Sequence, residues 1–255
     1  MKFNPIGLYT FIRQEIQRFL RVGQQTLFTP WVTALLYIFI FGEIVGRRIG
    51  NIDGVSYIDF VIPGLLMMNV MQSSFGQTSS SLYFKRFARH IEEILTAPLS
   101  YLEMIIGHLA AGILRGVIVG AGVYVLALLF TVATVSHLGL FIFYVISVST
   151  VFSLAGLLIG IWADDFEKLA LPATYIIMPL TFLGGLFNSI HMLPEKFQFF
   201  VRLNPFFYFV DGLRYSMIGV SESNRFVGAF LISTLILVLG FWVWNLFKKG
   251  YKIRT

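Results

Sequence analysis

Long apolar runs separated by short polar intervals set the frame of this chain. Six of them, Leu27–Gly46, Ile58–Leu82, Met104–Val135, Gly139–Trp162, Leu169–Phe187 and Phe226–Phe247, reach the roughly 20 residues that a helix needs to cross a bilayer. A further interval, Glu195–Gly219, is rich in Phe, but Arg202, Pro205, Asp211 and Arg214 argue against a seventh crossing. It reads instead as two short helices that dip into the outer leaflet, broken at Asn204-Pro205. Tyr208 lies on the second, and Asp211 and Arg214 are close enough to pair on one helical face. Nothing alternates with a period of two, so a β-barrel is not expected. The fold class is therefore all-α and polytopic, with six transmembrane helices over residues 27–247, an interfacial segment at 1–26 and a basic tail at 248–255.

Two segments outside the spans are amphipathic. Leu8, Phe11, Ile12, Ile16, Phe19 and Leu20 recur at helical spacing, with Arg13, Gln14, Gln17, Arg18 and Arg21 on the other face. This pattern predicts a helix lying in the membrane interface, as a lipid anchor, an elbow that also touches a partner, or both. Phe84–Leu95 repeats the theme: Phe84, Phe87, Ala88, Ile91 and Leu95 share a face, while Lys85, Arg86, Arg89, His90, Glu92 and Glu93 lie elsewhere. Pro98 ends that element. Because it joins the second and third spans tightly, force applied to it would move both.

Polar residues inside the spans add detail. The second span turns polar at Gln72-Ser73-Ser74 and Gln77–Ser81, a tract that should face other helices or a wet pathway. In the third span, Gly112, Gly116 and Gly120 recur every four residues and predict a packing or dimer face. Arg115 is the one strongly charged residue well inside a span; it either snorkels to the cytoplasmic interface or bonds to carbonyls, or it lines a substrate or coupling path. Asp164, Asp165 and Glu167 beside Lys168 read as a solvated helix start or, alternatively, a cation ligand. Pro172 and Pro179 predict a kinked fifth span.

Composition agrees with lipid as the main solvent, since 57% of residues are hydrophobic and 13% charged, against about a quarter charged in soluble domains. Lys and Arg are distributed asymmetrically. Twelve fall on the side of the termini (Lys2, Arg13, Arg18, Arg21, Lys85, Arg86, Arg89, Lys168, Lys248, Lys249, Lys252 and Arg254) and six on the other (Arg47, Arg48, Lys196, Arg202, Arg214 and Arg225). The bias predicts cytoplasmic termini and explains the net charge of +6 without nucleic-acid binding. The chain has no cysteine, which excludes thiolate chemistry and Cys-based zinc sites. It also lacks a G-x-x-x-x-G-K-[ST] loop, so any ATP must be handled by a partner. His90, His108, His137 and His191 are isolated from one another and predict no metal site.

Four local patterns on this frame resemble those of the membrane permease subunits of bacterial type-2 ATP-binding cassette exporters. They are Pro63-Gly64-Leu65; Glu92-Glu93-Ile94-Leu95-Thr96-Ala97-Pro98; Leu183-Gly184-Gly185-Leu186-Phe187 followed by Leu193-Pro194; and Leu203-Asn204-Pro205 with Tyr208, Asp211 and Arg214. The resemblance spans about residues 8–250. It implies that Phe84–Leu95 is a coupling helix docking on a separate cytoplasmic ATPase through Phe84, Phe87, Arg89, Ile91, Glu92, Glu93, Leu95 and Pro98. It implies also that Glu195–Gly219 forms paired outer re-entrant helices. Two permease copies with two ATPases would then form the working unit in the bacterial inner membrane. ATP and Mg would sit on the partner, no cofactor on this chain, and a drug, lipid-linked or polysaccharide-type cargo would pass between the permeases. An ion-coupled secondary transporter is the alternative. It would place carboxylates near the midplane and often show an internal repeat, whereas Glu43, Asp59 and Glu103 lie near span ends.

Overall fold

The computed structural model describes residues 3–252 except 53 and 133, without the side chains of Leu95 and Arg225. Lys2 and Arg254, counted above among the basic residues, lie outside the described residues. Helix α1 covers Pro5–Arg21. The spans follow as α2 (Gln24–Ile49) and, after a hairpin of β1 (Asn51–Ile52) and β2 (Val55–Ser56), α3 (Tyr57–Phe87). A short helix, α4 (His90–Thr96), leads into α5 (Tyr101–Ala127), α6 (Leu138–Trp162) and α7 (Phe166–Leu183). Next come α8 (Glu195–Leu203), α9 (Pro205–Ile218) and α10 (Arg225–Lys249). Six of these helices are long and apolar enough to cross a membrane, and an even number returns the chain to its starting side.

Capping residues explain where the helices start. Asn4 accepts from the Gly7 N–H ahead of α1, whose Pro5 needs no donor at that position. Ser100 and Glu103 form a reciprocal capping box on α5, and Asn204 and Asn224 cap α9 and α10.

Helix α3 is the axis of the bundle, flanked mainly by α5 and α6, with α9 against its far end. Its polar tract points inward, and Ser73, Ser74, Gln77, Thr78, Ser79 and Ser81 are all buried. Lipid would leave these hydroxyls without partners, whereas Thr78 here donates to the Ser153 carbonyl of α6 at 2.8 Å. By contrast, α2, α7 and α10 leave most of their apolar surface outside the bundle, as helices bathed in lipid do.

Three elements differ from the sequence expectation. The third span stops at Ala127 rather than Val135, because the chain beyond it turns back onto neighbouring loops. Thr131 donates to Asp59 at 2.7 Å, and the Ser136 and His137 N–H groups donate to the Met217 and Ser216 carbonyls. The expected Phe84–Leu95 helix is divided: Phe84 and Phe87 end α3, Arg89 adopts a left-handed conformation with φ 57°, and α4 begins at His90. The fifth span ends at Leu183, ahead of Gly185 at φ 82°, and contains a π-helical turn at Ala173–Ile177 between Pro172 and Pro179. Proline removes a donor and crowds the preceding carbonyl, which accounts for the irregular turn.

Candidate functional site

The face where α1 begins and α10 ends carries the residues expected to dock on an ATPase. On α4, Ile91 is buried, held in an apolar cluster with Met104 and Ile105 of α5, Leu157 of α6 and Val243 of α10. Its neighbours Glu92 and Glu93 are exposed, as are Arg89 and Pro98; the side chain of Leu95 lies outside the described residues. Phe84 and Phe87, at 45% and 74% exposure, do not join the Ile91 face. They group instead with Tyr83 and with Phe166 at the start of α7. The result is a short helix pinned to the bundle by Ile91, with the partly buried Ile94 packed against the same cluster, two exposed carboxylates and exposed aromatic rings beside it.

Behind α4 lies a buried ionic cluster that the sequence pattern did not disclose. Glu15 of α1, only 1% exposed, accepts from Lys85 Nζ and, at 2.6 Å, from Ser81 Oγ. Arg18 Nε is 3.7 Å from the same carboxylate and His108 Nδ1 3.8 Å. Arg18 also donates to the Gln77 carbonyl at 3.0 Å, and Lys85 sits 4.1 Å above the Phe11 ring. Burial alone would raise the pKa of Glu15, but His108, Lys85 and Arg18 outweigh it and hold the carboxyl below its ordinary range. The cluster ties α1 to α3 and α5, and it borders a cleft of about 660 Å³ that runs between α1 and α4 and is lined by Arg18, Arg21, His90 and Glu93 among others. Phe11, Glu15 and Phe19 are the buried residues of α1. Their spacing of four was the available signal: an acid in the middle of an apolar stripe.

The glycine stripe of α5 packs within the chain. A Cβ at Gly112 would run into Ser153 and Thr78, one at Gly116 into Ser74 and Ser149, and one at Gly120 into Val70, so α3, α5 and α6 approach closely there. Arg115 turns from this seam towards α2. It reaches Gln77 Oε1 and the Thr26 carbonyl, both at 3.4 Å.

On the opposite face, α8 and α9 meet at Asn204, whose side chain donates to the Leu180 carbonyl at 2.6 Å and accepts from the Phe206 N–H. Asp211 and Arg214 are both buried on α9. The Asp211 carboxylate accepts from the N–H groups of Glu222 and Ser223 at 2.8 and 3.0 Å and from the hydroxyls of Ser221 and Ser223. Arg214 donates to the Phe60 and Gly185 carbonyls, lies 3.7 Å over the Phe60 ring, and faces Glu222 at 3.8 Å. Pro205 starts α9, and Tyr208 donates to the Arg202 carbonyl at 2.9 Å. Burial raises the pKa of Glu222, although Ser189 and Arg214 oppose that shift. Among the described residues no group of three His, Asp or Glu is placed to hold a metal ion.

Six helices able to cross a membrane, with charged side chains gathered at the ends of the bundle, define a polytopic membrane protein. The ABC-2 type transporter family matches residues 7–218, and the chain belongs to that family. It is 36% identical over 251 residues to the inner membrane transport permease YadH of Escherichia coli (strain K12), covering 98% of both chains. It is also 28% identical over 196 residues to nodulation protein J of Rhizobium meliloti (strain 1021), covering 72% of this chain and 71% of the relative. Nodulation protein J of Neorhizobium galegae is 24% identical over 246 residues, 94% of this chain and 92% of that one. The protein is thus a multi-pass inner-membrane transport permease subunit, not itself an enzyme, of a family that pairs with an ATP-binding subunit.

Proposed function

We propose that the chain forms the substrate pathway of an ATP-driven exporter. In this reading two permease copies assemble with two cytoplasmic ATPases, which bind ATP and Mg; the permease itself carries no cofactor and sits among membrane lipids with both termini cytoplasmic. The cargo class is a drug, a lipid-linked molecule or a polysaccharide, passing between the permeases.

The observation that carries this reading is the geometry of α4. Its outward carboxylates, Glu92 and Glu93, are exposed, while Ile91 on the same helix is buried in an apolar cluster that includes residues of α3, α5, α6 and α10. A partner gripping the outer side would therefore load that cluster, and through the adjacent Lys85–Glu15 pair it would load α1. The reading is tested by co-expressing the permease with an ATP-binding-cassette ATPase from the same genome, a neighbouring reading frame being the first to try, and capturing the tagged permease from detergent extract. Stoichiometric recovery of the ATPase is expected; its absence under conditions that keep the permease folded would overturn the pairing.

A further inference from the structure

At the terminus-bearing end of the bundle, α6, α7 and α10 leave a groove of about 710 Å³ between them, within the range of roughly 300–1,000 Å³ typical of ligand pockets. Its walls are aliphatic and aromatic: Leu158 and Trp162 from α6, Leu171 and Tyr175 from α7, and Trp242 and Leu246 from α10. The irregular stretch of α7 forms one side, with Pro172 in the wall and the π-helical turn directly after it. These residues belong to membrane-spanning helices, and Trp and Tyr near span ends favour the interface between hydrocarbon and headgroups.

The groove has a basic end. Lys168 precedes Leu171 by three residues and Lys249 follows Leu246 by three, so each lysine stands on the groove-facing register of its helix. Lys252 closes the corner, donating to the Trp162 carbonyl at 3.4 Å and pairing with Asp164 at 2.8 Å. Arg86 braces it from behind, donating to the Lys252 and Gly160 carbonyls, both at 2.7 Å. Asp165 is taken up by Lys168 at 3.0 Å. Lys249 is exposed, and no ion pair of Lys249 occurs among the described residues.

We infer that this groove binds one anionic phospholipid from the leaflet on the side of the termini. An acyl chain lies between α6, α7 and α10, and the phosphate lies against Lys249, with Lys168 and Lys252 nearby. A lipid seated there supports the proline-broken α7 against its two neighbours. A zwitterionic lipid matches the apolar walls but gains less from the basic end, and this difference sets the prediction.

The test uses the full permease carrying Trp31→Phe and Trp244→Phe, which leaves Trp162 and Trp242 as its tryptophans. It is reconstituted in phosphatidylcholine vesicles with increasing fractions of either dibrominated phosphatidylglycerol or dibrominated phosphatidylcholine, and quenching of tryptophan fluorescence is recorded. Half-maximal quenching is expected at a roughly fivefold lower fraction of the anionic lipid, the ratio corresponding to about 1 kcal/mol for one lysine near the headgroup. Lys249→Gln should abolish this advantage, and Leu158→Phe with Ile176→Phe should reduce quenching by both lipids. Equal quenching by the two lipids in proportion to their fraction would mean ordinary annular contact and would overturn the site. Should the groove-filling variant not fold, native mass spectrometry of the unaltered permease exposed to equal amounts of both lipids decides between the outcomes. Preferential retention of phosphatidylglycerol supports the site, and no preference overturns it.

Discussion

Glu15 is the residue whose environment departs furthest from its sequence neighbourhood. On α1 it is surrounded by glutamines and arginines, yet in the fold it is buried against Lys85, Ser81 and His108. Removing one member of a buried ion pair leaves an uncompensated charge and typically costs about 3–5 kcal/mol. Glu15→Ala should therefore lower the thermal midpoint of the purified permease strongly, and adding Lys85→Met should restore much of the loss. A double variant no better than the single one would contradict the pairing. The pH sign follows from the depressed pKa: the stabilisation is complete above the ordinary value of 4.5 and is lost as pH falls from there through the lower folded value. Glu15→Gln should flatten that acid limb and leave the shape of the profile above it unchanged. Gly116 makes a second claim at this scale. With Ser74 and Ser149 where its Cβ would be, Gly116→Leu should reduce the yield of monodisperse permease in size-exclusion chromatography, overpacking costing roughly 1–3 kcal/mol or more. The glycine spacing was legible in the sequence because it is local. The partners of Glu15 were not, because they come from helices 66 to 93 positions away.

At the scale of elements, the spans were legible because the need for about 20 apolar residues leaves little choice, and Asn204-Pro205 marked the joint between α8 and α9 because proline biases the residue before it away from helix. The boundary at Arg89 was not legible. Phe84, Phe87 and Ile91 keep helical spacing across it, and periodicity alone cannot register a single left-handed residue. The consequence is that Ile91 anchors α4 while Phe84 and Phe87 remain exposed. Reversing the exposed charges by Glu92→Lys with Glu93→Lys should leave membrane insertion intact but weaken recovery of the ATPase, since opposed charge at a contact costs several kcal/mol. Normal ATPase recovery and normal export by that variant would make α4 a lipid-surface element. On the opposite face, the raised pKa of Glu222 reverses the sign found for Glu15. Its folded form holds the proton to higher pH than the unfolded form, so stability declines as pH rises from about 4.5 through the folded value. Glu222→Gln should remove that decline in a melting series; an unchanged slope would place the titration elsewhere.

For the whole molecule, α3 is an axis lined with polar side chains, the outer helices face lipid, and the terminus-bearing face combines a pinned short helix with a buried ionic tie to α1. We propose from the Lys and Arg asymmetry that this face is cytoplasmic, and on that proposal a reporter active only outside the cytoplasm and fused after Thr255 should stay silent. Strong reporter activity would mean that an odd number of segments crosses. The central claim is that this permease moves cargo with energy released on a different chain, and its most direct test is ATP hydrolysis in proteoliposomes. The permease alone, freed of other ATPases, should show no turnover, while the complex with its co-expressed ATPase should hydrolyse ATP and lose the dependence on cargo when Glu92 and Glu93 are reversed. Robust ATP turnover by the purified permease alone would contradict the account.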